Sequence, residues 1–224
     1  MQALDPPLSQ VMTQLYEHYG KPEVDEDEDD ILATLIEALL SQATNRKNFE
    51  QAFTQLLERF DGDWEKVAHG DVQAVEEAIQ VGGLAKQKAK RIQAILHRVH
   101  ELYGEYSLER MHEEEPADAY AELVAMPGVG PKSATFVLMR AANMPFFSMS
   151  TRILRICQRL GWGSEECSSQ VAHDRILPHI PEGEHDALHT VLITHGKTLC
   201  LAREPLCASC PLRTCCHHAI SKRS

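Results

Sequence analysis

Apolar residues recur at three- and four-residue spacing along most of the chain. The pattern runs through DDILATLIEALLSQ (29–42), NFEQAFTQLLERF (48–60), VQAVEEAIQ (72–80), KQKAKRIQAILHRVHELY (86–103), AYAELVAM (119–126), KSATFVLMRAANM (132–144), TRILRICQRL (151–160) and HDALHTVLITHGKTL (185–199). Each segment reads as an amphipathic helix, and no stretch shows the sustained alternation that a half-buried strand requires. Proline and glycine punctuate the helices, and no repeat of fixed period stands out. The pattern predicts roughly nine to eleven short helices and an all-α fold.

The chain has 224 residues, of which 43% are hydrophobic and 25% charged. That suffices for one large domain or two small ones with a core that needs no disulfides. No apolar run approaches the roughly 18 residues of a membrane span, and MQALDPPLSQ lacks the basic and apolar regions of a leader, so a cytosolic protein is expected. The 33 Asp plus Glu outnumber the 22 Lys plus Arg, for a formal charge of -11. Taken alone, that balance argues against nucleic acid, since phosphate binding needs cations. The run EVDEDEDDI (23–31) reads as a solvated loop whose carboxylates favour the helix that follows.

The charge is unevenly spread. From Leu123 to Ser164 there is no Asp or Glu, while Lys132, Arg140, Arg152, Arg155 and Arg159 are all basic. An electropositive face on an acidic body is expected there. Within this window lies Met126-Pro127-Gly128-Val129-Gly130-Pro131-Lys132-Ser133-Ala134, between two amphipathic segments. Gly128 and Gly130 permit backbone conformations closed to other residues and expose their amides, and Pro131 suits the first position of a new helix. Such a hairpin can hold a phosphate on loop amides and a helix amino terminus. Lys132 follows at that terminus, where the helix dipole and partial burial would disfavour an ammonium and free the amine for Schiff-base chemistry.

Five of the seven cysteines fall in the last 25 residues. Cys200, Cys207, Cys210 and Cys216 give C-x6-C-x2-C-x5-C, with Cys215 a rival for the fourth place. In a reducing compartment this is a thiolate metal site, suited to a cubane iron–sulfur cluster or to tetrahedral zinc. Cys157 and Cys167 read as packed or surface thiols. His185 and His189 have the spacing of a zinc-protease motif, but the required glutamate is absent from HDALH.

Together, LLSQATN (39–45), GGLAKQKAKRI (82–92), AMPGVGPKSA (125–134), STRILRICQRLGW (150–162), HGKTLC (195–200) and the cysteine set resemble the endonuclease III family of helix-hairpin-helix DNA glycosylases. The resemblance implies a two-lobed all-α fold: a six-helix barrel over 34–144, and an iron–sulfur lobe from 1–33 and 145–224 with a [4Fe-4S] cluster on Cys200, Cys207, Cys210 and Cys216. It implies a base excision repair glycosylase and AP lyase acting on oxidised pyrimidines and abasic sites in double-stranded DNA. Lys132 would be the nucleophile; Gly128, Val129 and Gly130 would meet a phosphate, and Gln42 and Leu84 would fill the gap left by the flipped base. The resemblance also implies a cytoplasmic bacterial monomer, with no membrane partner, found with the nucleoid when bound to DNA.

Two departures from the family pattern matter. Where these enzymes carry an aspartate before the helix that follows the hairpin, this chain has Ser150. Serine caps a helix as well as aspartate does, but it brings no charge, and losing such a group costs on the order of a hundred- to a thousandfold in rate. Three outcomes are open: a weak or narrowed glycosylase with some lyase activity, a damage-binding protein that has lost catalysis, or a full enzyme that draws its carboxylate from elsewhere. The loop after Cys200 carries Glu204 beside Arg203, where the family presents several basic residues to the DNA backbone. The chain ends eight residues after Cys216, so the further recognition domain of adenine-excising relatives is not expected.

Overall fold

A computed structural model describes residues 3–23, 30–164 and 166–221. Among them are twelve α-helices, three short 3-10 turns and no strand. The helix count passes the nine to eleven expected because Leu8–Tyr19, Trp64–His69, Ser169–Ile176 and His217–Ser221 lie outside the segments singled out above. Most of the acidic run, residues 24–29, lies outside the described residues. Among the described residues no helix is long and apolar enough to cross a membrane.

The chain forms two compact units. One is Glu26–Met144. It contains α2 (Ile31–Leu40), α3 (Arg46–Arg59), α4 (Trp64–His69), α5 (Val72–Ala78), α6 (Ala85–Tyr103), α7 (Pro116–Ala125) and α8 (Pro131–Arg140). At the centre is α2, apolar but for Thr34 and Glu37, with Ile31, Leu32, Leu35, Ile36, Leu39 and Leu40 essentially inaccessible. It packs on α8, α3 and α6. Side chains before the helices set where they start: Asp30 accepts from the amide of Ala33 at 2.9 Å, Asn45 from Asn48 at 3.0 Å, and Asp63 and Asp71 cap α4 and α5. Pro116 and Pro131 open α7 and α8 at positions where a missing amide costs nothing.

The other unit joins Met1–Asp25 to Pro145–Ser224. It holds α1 (Leu8–Tyr19), α9 (Thr151–Leu160), α10 (Ser169–Ile176), α11 (His185–Thr198) and α12 (His217–Ser221). Helix α11 packs on α9 and α1, and α9 also meets α10 and α12. Polar bonds fix the amino-terminal segment in place: Trp162 Nε1 donates to the Pro6 carbonyl at 2.7 Å, and Tyr16 donates to Glu184 at 2.9 Å. Burial is the first reason the Tyr16 phenol is held above its ordinary range, and the Glu184 carboxylate adds to it.

Candidate active site and metal centre

In the unit Glu26–Met144, α7 and α8 form a hairpin about Met126–Gly130. Val129 donates to the Met126 carbonyl at 3.2 Å and closes the turn, while its side chain is buried. Gly128 has φ +81, a conformation that side chains strain. Gly130 does not share that need, with φ -99, but a Cβ there would meet nothing within 4 Å. Its hydrogen therefore leaves open space in front of α8, whose first turn has no side-chain cap. Lys132 is the second residue of α8 and is exposed. The partial burial expected for its amine is thus not met in the protein alone.

Gln42 reaches this hairpin from another loop of the same unit, and Leu84 lies on a further loop of that unit. The Gln42 amide donates to the Gly128 carbonyl at 3.3 Å, from a loop whose next residue, Ala43, has φ 54. Leu84 is 57% exposed at φ 53, a large apolar side chain held outward on left-handed backbone. Between these loops is Lys88, 1% exposed, which donates to the carbonyls of Leu40 at 2.7 Å and Gly82 at 2.9 Å. Burial lowers the pKa of this amine below the usual lysine range. Lys88 was missed among neighbouring basic residues, although it occupies a core position of α6 in step with Ile92, Ile95 and Val99.

The unit Met1–Asp25 with Pro145–Ser224 carries the other candidates. Ser150 caps α9, its hydroxyl accepting from the Ile153 amide at 3.2 Å. Cys200, Cys207, Cys210 and Cys216 line one cavity, together with Arg159 and His195. Cys215 is not among its walls and turns to Gln14 Oε1 at 3.3 Å. Among the described residues no three side chains stand as a ready ligand group. The thiols are partly turned to other partners: Cys216 Sγ donates to the Arg159 carbonyl at 3.2 Å, and Cys210 Sγ lies 3.7 Å from His195 Nε2. Burial pushes the Cys210 thiol up to about 11 and raises that of Cys216, and Cys200 and Cys207 add to both. An all-sulfur set converging on one cavity fits a thiolate-bound iron–sulfur cluster or zinc, whose positive charge would reverse that shift. Burial also holds the His195 imidazole down to about 4, with His18 adding to it, and Tyr19 bonds its Nδ1 at 3.0 Å.

A family model described as the HhH-GPD superfamily of base excision DNA repair proteins matches residues 36–177. The chain belongs to that superfamily. Within it, the relationship is to endonuclease III. This HhH-GPD chain is 31% identical over 184 residues to an Arabidopsis thaliana protein provisionally named as a DNA glycosylase, covering 82% of this chain and 60% of that one. It therefore spans less than two thirds of that relative. With the endonuclease III of Synechocystis it shares 30% identity over 188 residues, covering 83% of this chain and 80% of that enzyme. A solved structure of a trapped endonuclease III–DNA covalent intermediate matches with a TM-score of 0.77 at 22% identity, over 97% of both chains. At that identity the likeness is one of fold.

In this HhH-GPD chain, two of the five cations of the acid-free window bond to backbone carbonyls. Arg155 donates to the carbonyls of Cys200, at 2.8 and 3.1 Å, and of Gly196, at 3.0 Å, capping the end of α11. Arg159 donates to Leu201 at 2.6 Å, Ala202 at 3.2 Å and the Cys200 sulfur at 3.2 Å. Both guanidinium groups shape the backbone that presents the first cysteine. Arg152 and Lys132 are exposed, as is Arg203 in the loop 201–206. Cys157 is buried, which pushes its thiol up to about 12, and Cys167 is half-buried.

Proposed function

We propose that this protein is a DNA glycosylase and AP lyase of endonuclease III type, acting on oxidised pyrimidines and abasic sites in double-stranded DNA. The observation that carries the reading is the hairpin: Lys132 stands exposed at the start of α8, beside the open space over Gly130. At an abasic site the Lys132 amine would add to the sugar aldehyde and release water as the imine forms. Loss of a C2′ proton then expels the 3′ phosphate, and water frees the lysine. Gly128, Val129 and Gly130 would meet a backbone phosphate. Leu84, which is exposed, and Gln42, which bonds the Gly128 carbonyl, would fill the space of an extruded base, an extrusion that costs a few kcal/mol.

Base excision is the weaker of the two activities. Ser150 brings a cap but no carboxylate to stabilise charge on the sugar, whereas the imine at an abasic site needs no glycosidic bond to break. Cys200, Cys207, Cys210 and Cys216 would hold a [4Fe-4S] cluster, with Arg159 donating to the Cys200 sulfur. Bound there, the cluster would crosslink the carboxyl-terminal loop to the body of its unit.

Borohydride reduction during reaction with an abasic duplex tests the lyase reading. A covalent complex that disappears in Lys132→Ala is expected. DNA binding without any trapped complex would leave a damage-binding protein without lyase chemistry.

A further inference from the structure

Lys132 is the exposed cation of the hairpin's own helix, and α6 brings a second one to the turn. The Arg91 side chain lies across Gly128: a Cβ built on that glycine would come 2.6 Å from Arg91 Cδ, 2.9 Å from Nε and 3.2 Å from Cζ. Gly128 is favoured by its left-handed φ, and a larger residue there would also have to displace the Arg91 side chain. On its other side, the Gly128 carbonyl accepts from Gln42. The Arg91 guanidinium is half-buried and, among the described residues, forms no ion pair or hydrogen bond. An arginine whose stem lies over the hairpin glycine, with its donors unspent beside amides suited to phosphate, has the form of an anion ligand.

We propose that Arg91 is a DNA phosphate ligand of the hairpin, supplying the fixed positive charge that the glycine amides lack. The proposal rests on the DNA-processing reading above. It accounts for how a chain of net charge -11 can hold a polyanion at this turn: the charge comes from a neighbouring helix, outside the acid-free window.

The test is the salt dependence of binding to a duplex carrying a tetrahydrofuran abasic analogue, which no lyase can cleave. Arg91→Gln keeps most of the stem and removes the charge. It should weaken binding by about fivefold or more and reduce the slope of log affinity against log salt by about 0.9, the share of one phosphate contact. Arg91→Lys should restore most of the slope, which a purely packing role would not require. Arg98→Gln, which removes an exposed cation already paired with Glu101 on the same helix, should leave both values unchanged. Thermal melting of Arg91→Gln within about 2 °C of wild type shows the unit intact. Wild-type slope and affinity in Arg91→Gln, or an equal loss in Arg98→Gln, would overturn the assignment while leaving the DNA reading standing. Failure of the wild-type protein to bind the duplex at all would overturn both.

Discussion

Lys88 Nζ stands 2.7 Å from the Leu40 carbonyl at the end of α2, and the same ammonium bonds Gly82 at 2.9 Å. Leu40 is two residues before Gln42 and Gly82 two residues before Leu84, so one buried group ties together the roots of both candidate gap-filling loops. Lys88→Met should leave both carbonyls without a partner at a cost of about 1–3 kcal/mol. Thermal melting several degrees below wild type is expected. Unchanged melting would show that water replaces the ammonium without loss.

Ser150→Asp keeps the α9 cap and restores a carboxylate. Base excision from a thymine-glycol duplex should rise by about a hundredfold, with little change in affinity for the abasic analogue. Single-turnover rates on the two substrates check this, and a wild-type protein already as fast as Ser150→Asp would remove the role given to the missing charge. Ser150→Ala, by contrast, should lose about 1 kcal/mol of stability with the cap.

Cys207→Ser and Cys215→Ser separate the cysteines that line the cavity from the one turned away from it. Iron and sulfide analysis of protein purified without oxygen should find the cluster lost or depleted in Cys207→Ser and at wild-type content in Cys215→Ser. A colourless, zinc-containing wild type would replace the iron assignment with zinc on the same sulfurs.

Glu184 supplies a pH-dependent link within its unit. Burial alone would raise its carboxyl, but hydrogen bonds from Lys21 at 2.6 Å and Tyr16 at 2.9 Å outweigh it and hold the pKa below the usual range. A carboxyl lowered on folding contributes stability that is complete above its unfolded value, about 4.3, and is lost as pH falls through the folded one. The melting difference between wild type and Glu184→Gln should therefore be present at neutral pH and shrink in acid. A constant difference would assign the effect to packing.

The all-α fold, the glycine hairpin, the Ser150 cap and the cysteine set were legible in the sequence because each depends on residues a few positions apart. Helical periodicity, a serine three residues before the amide it caps, a proline opening a helix and a short ligand spacing are local signals, and local geometry turns them directly into structure. What only the tertiary structure decided is which distant groups meet. Arg155 and Arg159 look like DNA-facing cations in a window without acids, yet carbonyls some forty residues on take them up. Lys88 resembles its exposed neighbours until α2 and the Gly82 turn surround it, and Arg91 acquires its place by packing on a glycine in another hairpin. Cys216 lines the cavity of the other three cysteines, whereas Cys215 bonds Gln14. A cation's role depends on the partner it finds, and that partner is brought to it by the packing of helices that the linear pattern does not encode.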